Sequence, residues 1–165
     1  MAERDPRIGP GRQAASYEAD YSAWIDAQAA LLQAGRFGEL DIVNLVDEVE
    51  SLGRSAFYSF ASAIEIVIVH MLKWDTQPIK RTPSWVASIA EHRRRIEQSF
   101  EDNPSYRSRI DEAVTRAWRT ANAKAAGETN LPLTAFPSEN PYDWAAITTR
   151  PHELPVPARR NRKNL

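Results

Sequence analysis

From Ser55 to Trp74 the chain reads SAFYSFASAIEIVIVHMLKW, and apolar side chains recur on nearly every side of a helix drawn through it. At about 100° per residue, Phe57, Phe60, Ala61, Ile64, Val67, Ile68 and Met71 share one broad face. Ser55, Ser59, Ser62 and Lys73 fall opposite, interrupted by Ile66 and Val69. A helix apolar almost all round is enclosed by others, so this one is expected at the centre of the fold. Glu65 and His70 break the run well short of the ~20 apolar residues that a bilayer requires, so no membrane span is expected.

The same periodicity predicts helices on either side. Tyr21, Trp24, Ile25, Gln28, Leu31 and Leu32 recur at helical spacing, giving a helix over Tyr21 to Ala34 capped by Asp20 and closed by Gly35. Ile42, Leu45, Val46, Val49 and Leu52 form an apolar stripe on a second helix, capped by Asp41 and ended or kinked at Gly53. Pro78 marks a loop after Trp74. Thr82-Pro83 and Asn103-Pro104 are helix-start signals, with proline at the first helical position. They open a fourth helix, with Trp85, Val86, Ile89, Ile96 and Phe100 inward, and a fifth, with Tyr106, Ile110, Val114, Ala117, Trp118, Ala121 and Ala125 inward, stopping near Gly127.

From Thr129 the pattern changes. Six prolines between Pro132 and Pro157 forbid long helix, yet Leu131, Leu133, Phe136, Tyr142 and Trp144 are too apolar for a free tail. Leu131 to Ile147 therefore reads as an extended arm packed along the helices, with one turn begun by Asp143. The predicted fold is all-α, a bundle of about five main helices with a Pro-rich C-terminal arm. Short connections make sequential helices antiparallel neighbours. Residues 1–16 are polar and rich in Gly, Pro and Arg, and are expected to be disordered. Residues 17–150 are expected to form one helical domain, and 151–165 a flexible tail made basic by Arg159, Arg160, Arg162 and Lys163.

Three pieces carry a resemblance: YSAWIDAQAALLQAGRFGELDIVNLVDEVESLGR, then HMLKW, then ETNLPLTAFPSENPY. With their spacing, over Tyr17 to Tyr142, the chain resembles the bacterial family known as domain of unknown function twenty-nine. Asn130 stands where that family's pattern has glycine. The resemblance implies an α-helical domain and brings no functional residues with it.

Composition narrows the function classes. The 165 residues contain no cysteine, which removes disulfide frameworks and thiolate zinc sites. A net charge of −1 lacks the basic excess of a nucleic-acid binder. No apolar signal segment opens the sequence, so the cytoplasm is the expected compartment. Among individual residues, Glu48, His70 and His92 are the metal-ligand candidates, because carboxylates and histidines on facing helices are how bundles hold ions. Glu65 and His70 lie about 140° apart on one helix and cannot share an ion from it. No Glu-x-x-His pair, Gly-x-Ser-x-Gly elbow or phosphate loop occurs. Ser55, Ser59 and Ser62 read as a packing surface. Lys80, Arg81, Arg93, Arg94 and Arg95 supply cations, but Arg94 and Arg95 are bracketed by Glu91 and Glu97 and pair locally.

Arg93 sits between Ile89 and Ile96 on an inward face and needs a partner, since an unpaired buried charge costs several kcal/mol. Glu48 and Glu65 are the expected partners in a buried ion pair. The reading favoured is a cytoplasmic binding or adaptor module acting through protein contacts. It is not expected to be an enzyme, to carry a cofactor or to bind a membrane. The alternatives are a metal-dependent enzyme with a site near Glu48, His70 and His92, and, behind it, a weak nucleic-acid binder.

Overall fold

The computed structural model describes residues 16–155. The expected disordered segment over 1–16 and basic tail over 151–165 fall outside the described residues, apart from Ser16 and 151–155. Among the described residues the architecture is all-α, without strands. Five helices follow one another: α1 (Tyr21–Gln33), α2 (Ile42–Thr76), α3 (Pro83–Asp102), α4 (Ile110–Thr129) and α5 (Trp144–Thr149), with short 3-10 turns between them. The chain divides into two compact units, Met1–Gly53 and Arg54–Leu165, and α2 contributes to both.

In the first unit the caps fall where the sequence puts them. Asp20 accepts from Ala23 N–H at 3.0 Å. Gly35, at φ +69°, closes α1: its N–H reaches Leu32 O while Arg36 N–H reaches Leu31 O, the paired bonds of a Schellman stop. Asp41 caps α2 through Asn44 N–H at 3.3 Å. Its other carboxylate oxygen accepts from the indole N–H of buried Trp24 at 3.2 Å, and its backbone N–H donates to buried Gln28 at 2.9 Å. The turn between the helices is thus held from α1 by two buried side chains.

The break expected at Gly53 is absent, and α2 runs unbroken for 35 residues. A lone glycine costs a helix only about 1 kcal/mol relative to alanine. Gly53 does not adopt a positive φ, and no proline follows to enforce a stop. Predicted helices two and three are therefore one.

In the second unit, α2 from Phe57 onward is the central helix, with Phe57, Phe60, Ile64, Val67, Ile68 and Met71 all within 1 % of full burial. Phe60 meets Phe100 of α3 (centroids 5.2 Å apart), and Lys73 lies over the Trp85 ring, so α3 returns antiparallel. Tyr58 with Arg116, Glu65 with Lys124 and Lys73 with Glu128 pair in the same order along α2 and α4, so those two run parallel. Ala113, Ala117, Ala121 and Ala125, one turn apart, are buried and give α4 a flat side for close approach. Gly127, expected to end this helix, lies within it. The stop is Asn130, at φ 56° in the left-handed conformation that glycine adopts freely and asparagine tolerates best of the rest.

The arm is docked as predicted. Phe136, Tyr142 and Ile147 join the core, Trp144 packs against Phe100, and Asn122 holds the arm by donating to Pro137 O at 2.7 Å. Asp143 opens the short α5 by accepting from Ala146 N–H.

Candidate functional site

Each expected metal ligand has a hydrogen-bond partner of its own. Glu48 accepts hydrogen bonds from the hydroxyls of Tyr17 at 2.6 Å and Tyr21 at 2.7 Å. These phenols hold its carboxyl below the usual range, and Glu48 in turn pushes the Tyr17 hydroxyl up to about 12. His70 and His92 each turn Nδ1 to the carbonyl one helical turn back, Ile66 O and Ser88 O. Among the described residues no three His, Asp or Glu side chains gather as a metal site.

Arg93 corrects the ion-pair expectation. Its guanidinium donates to three backbone carbonyls: Ile147 O at 2.7 Å, Arg150 O at 2.8 Å and Ala146 O at 3.0 Å. It caps the C-terminus of α5, where the helix dipole favours a cation, and it shares Ala146 O with the Arg150 N–H at 3.2 Å. The two carboxylates named for it are engaged elsewhere, Glu48 with the tyrosines and Glu65 with Lys124 at 3.2 Å. A second clasp lies nearby. Asp75 accepts two hydrogen bonds from Arg150, at 2.6 and 2.8 Å, and one from the Tyr142 hydroxyl at 2.8 Å. Burial alone would raise the Asp75 carboxyl, but Arg150 and Tyr142 outweigh it and hold it below its ordinary value. Arg94 and Arg95 both bind Glu91, as their spacing predicts.

Two of the open clefts in the second unit adjoin Glu65 and His92. One, of about 360 Å3, is lined by Tyr58, Ser62, Glu65, Arg116 and Arg119. The other, of about 410 Å3, is lined by Ser59, Ser62, His92, Arg95 and Asp102. Both are open and mixed in lining, with Ala61 and Ala117 in the first and Ala63 and Ile66 in the second, and neither has the enclosed wall of a small-molecule site.

The most unusual surface lies in the first unit. Of the stripe Ile42, Leu45, Val46, Val49 and Leu52, Leu45 is half-buried and the other four are exposed, from 50 % at Val46 to 70 % at Leu52, and Val43 beside them reaches 74 %. On α1, Ile25 and Leu32 are nearly half exposed. Trp24 and Gln28 are the residues this unit buries fully among those described. Single exposed aliphatics need no explanation, but a row of them over three turns of one helix is uncommon on a protein surface.

The model of the family Domain of unknown function DUF29 matches residues 16–151. The chain belongs to that family. No curated protein and no solved structure matches it. The DUF29 match takes in both units, including the exposed stripe and the arm up to Pro151. An 18-residue window of α2 is long and apolar enough to cross a membrane, but 56 % of it is buried inside this protein, as in a core helix.

One residue beyond the DUF29 match stands His152, which sequence reading passed over. It is buried edge-on against Trp74, with centroids 5.3 Å apart, and neither ring nitrogen has a hydrogen-bond partner. Burial, then the Arg93 and Arg150 cations, push its pKa down, with Asp75 opposing. Burial also lowers His70. A histidine whose folded pKa is depressed leaves stability intact above its unfolded pKa, about 6.5, and costs stability as pH falls below it. Denaturant melts between pH 8 and 5 are expected to show stability declining below about pH 6.5. His152→Phe, which fills the same space without titrating, is expected to flatten that decline. An unchanged slope would show that His152 is not its source.

Proposed function

We propose that this chain is a helical protein-contact module whose contact surface is the Ile42–Leu52 stripe of α2. The observation that carries this reading is the exposure of that stripe on a helical hairpin that buries almost nothing else. Helices of this size fold by burying an apolar face, and a segment of about 40 residues rarely makes a sufficient core alone. A partner completes that core. Ile42, Val46 and Val49 are β-branched and stiff at χ1, so they lose little side-chain freedom when covered. The polar clasp of Tyr17, Tyr21 and Trp24 on Glu48 and Asp41 keeps the hairpin in shape while its stripe is bare. The second unit has a filled core and a docked arm of its own. The cytoplasm is the compartment proposed for this contact.

A photocrosslinking residue placed at Val46 or Val49, and at exposed Glu97 as control, tests the reading in native lysate. The first two positions are expected to give discrete protein adducts that Glu97 does not. Equal labelling from all three positions, or no adduct from Val46 and Val49, would remove the stripe as the contact surface.

A further inference from the structure

Charge on the first unit indicates what covers the stripe. Between Ser16 and Gly53 stand eight carboxylates and one cationic side chain, Arg36, a net charge of −7 within a chain whose total is −1. Two of those carboxylates, Asp47 and Glu50, follow Val46 and Val49 directly and so border the apolar row. Over residues 16–53 the one cation, Arg36, is hydrogen-bonded to Glu39. The surface is therefore an apolar row set in an acidic field.

Building on the contact-module reading, we infer that the occupant is an amphipathic helix of a partner protein, with Lys or Arg flanking its apolar face. The row from Ile42 to Leu52 extends about 15 Å along the helix axis, the span over which a docked helix presents i, i+3, i+4 and i+7 anchors. The acidic field selects the sign. It draws a cationic helix in and fixes its register, and it repels like charge. A second copy docked through the same face would set −7 against −7. Nucleic acid and anionic lipid surfaces carry the same sign as the hairpin and are repelled too. Residues 1–15 and 156–165 lack the pattern of such an occupant. Residues 1–15 have Ile8 as their one aliphatic of that size, between two prolines, and 156–165 have four cations but only Val156 and Leu165 as apolar flanks, with Pro157 behind the first. Neither segment writes an apolar helical stripe.

The test uses the full chain and three labelled synthetic peptides of about 18 residues, long enough to be helical when bound. One is a Leu/Lys sequence with helical periodicity, the second replaces each Lys by Glu, and the third scrambles the first. Fluorescence anisotropy is expected to give the periodic Leu/Lys peptide at least about tenfold tighter binding than either control, weakening as salt screens the charges. Val46→Asn with Val49→Asn, which leaves the charge unchanged at exposed positions, is expected to weaken it about tenfold. Asp47→Asn with Glu50→Gln is expected to weaken it while reducing the salt dependence.

Equal or tighter binding of the Leu/Glu peptide would overturn the cationic partner and leave the contact surface standing. Equal binding of the scramble, indifferent to the valine variant, would overturn helix docking. A dimer in sedimentation equilibrium that the valine variant dissolves would make a second copy the occupant and overturn the inference. The crosslinking result at Val46 and Val49 separates these failures from failure of the contact surface itself.

Discussion

Phe136→Ala is expected to cost about 3–5 kcal/mol in chemical denaturation, the range for emptying a fully buried phenylalanine site. The arm around Phe136 has almost no regular structure of its own to fall back on. Three residues of it, Leu133–Ala135, make a single 3-10 turn, and the next helix begins at Trp144. Its position is set by side chains: Phe136 in the core, the Asn122 amide on Pro137 O, the Tyr142 hydroxyl on Asp75. Removing the ring leaves a cavity beneath a segment that cannot refill it by sliding along a helical ridge. Phe136→Leu is expected to recover more than half of the loss, since it restores most of the apolar volume. A midpoint shift worth less than about 1 kcal/mol for Phe136→Ala would mean that the arm does not contribute to the core.

The arm shows which parts of this fold are legible in sequence. Phe136 and Trp144 announce themselves because large apolar groups among prolines have no helix in which to hide. Thr82-Pro83 and Asn103-Pro104 mark helix starts because proline lacks the N–H that those positions leave unused. Gly53 misleads for the complementary reason. Glycine weakens a helix without forbidding it, and nothing at 53 asks for a left-handed turn. The Ile42–Leu52 stripe misleads more deeply. Its periodicity states that one face of the helix is apolar, and periodicity is the same whether that face meets the chain's own core or a surface for another molecule. Its acidic surroundings were visible as residues, but their weight emerges only once residues 16–53, at −7, are separated from a remainder that carries +6. His152 gave no signal, being a lone histidine in a proline-rich end.

Replacing Arg93 by methionine is expected to destabilise the protein by about 2–4 kcal/mol, through loss of charge-assisted bonds and desolvated carbonyls. The sequence identifies the problem that Arg93 poses, a guanidinium on an inward helix face, and suggests a carboxylate as its solution. Backbone carbonyls solve it instead. Ala146, Ile147 and Arg150 present three oxygens around the end of α5, and the planar fork of guanidinium donors reaches all of them. No side-chain pattern encodes such acceptors, so no sequence rule could have named them. Burial pushes the Arg93 pKa down, with neighbouring Arg150 adding to the effect, yet arginine stays charged. The decisive comparison is with Arg93→Lys. An ammonium keeps the charge but cannot span three carbonyls from one stem, so lysine is expected to recover less than half of the loss. Hydrogen exchange adds a local readout, because the amides of Ile147 and Arg150 are bonded within α5 and should lose protection before α2 or α4. If Arg93→Met costs less than about 1 kcal/mol and those amides stay protected, the cap does not hold the arm. If lysine restores full stability, charge alone suffices and the three-carbonyl geometry is incidental.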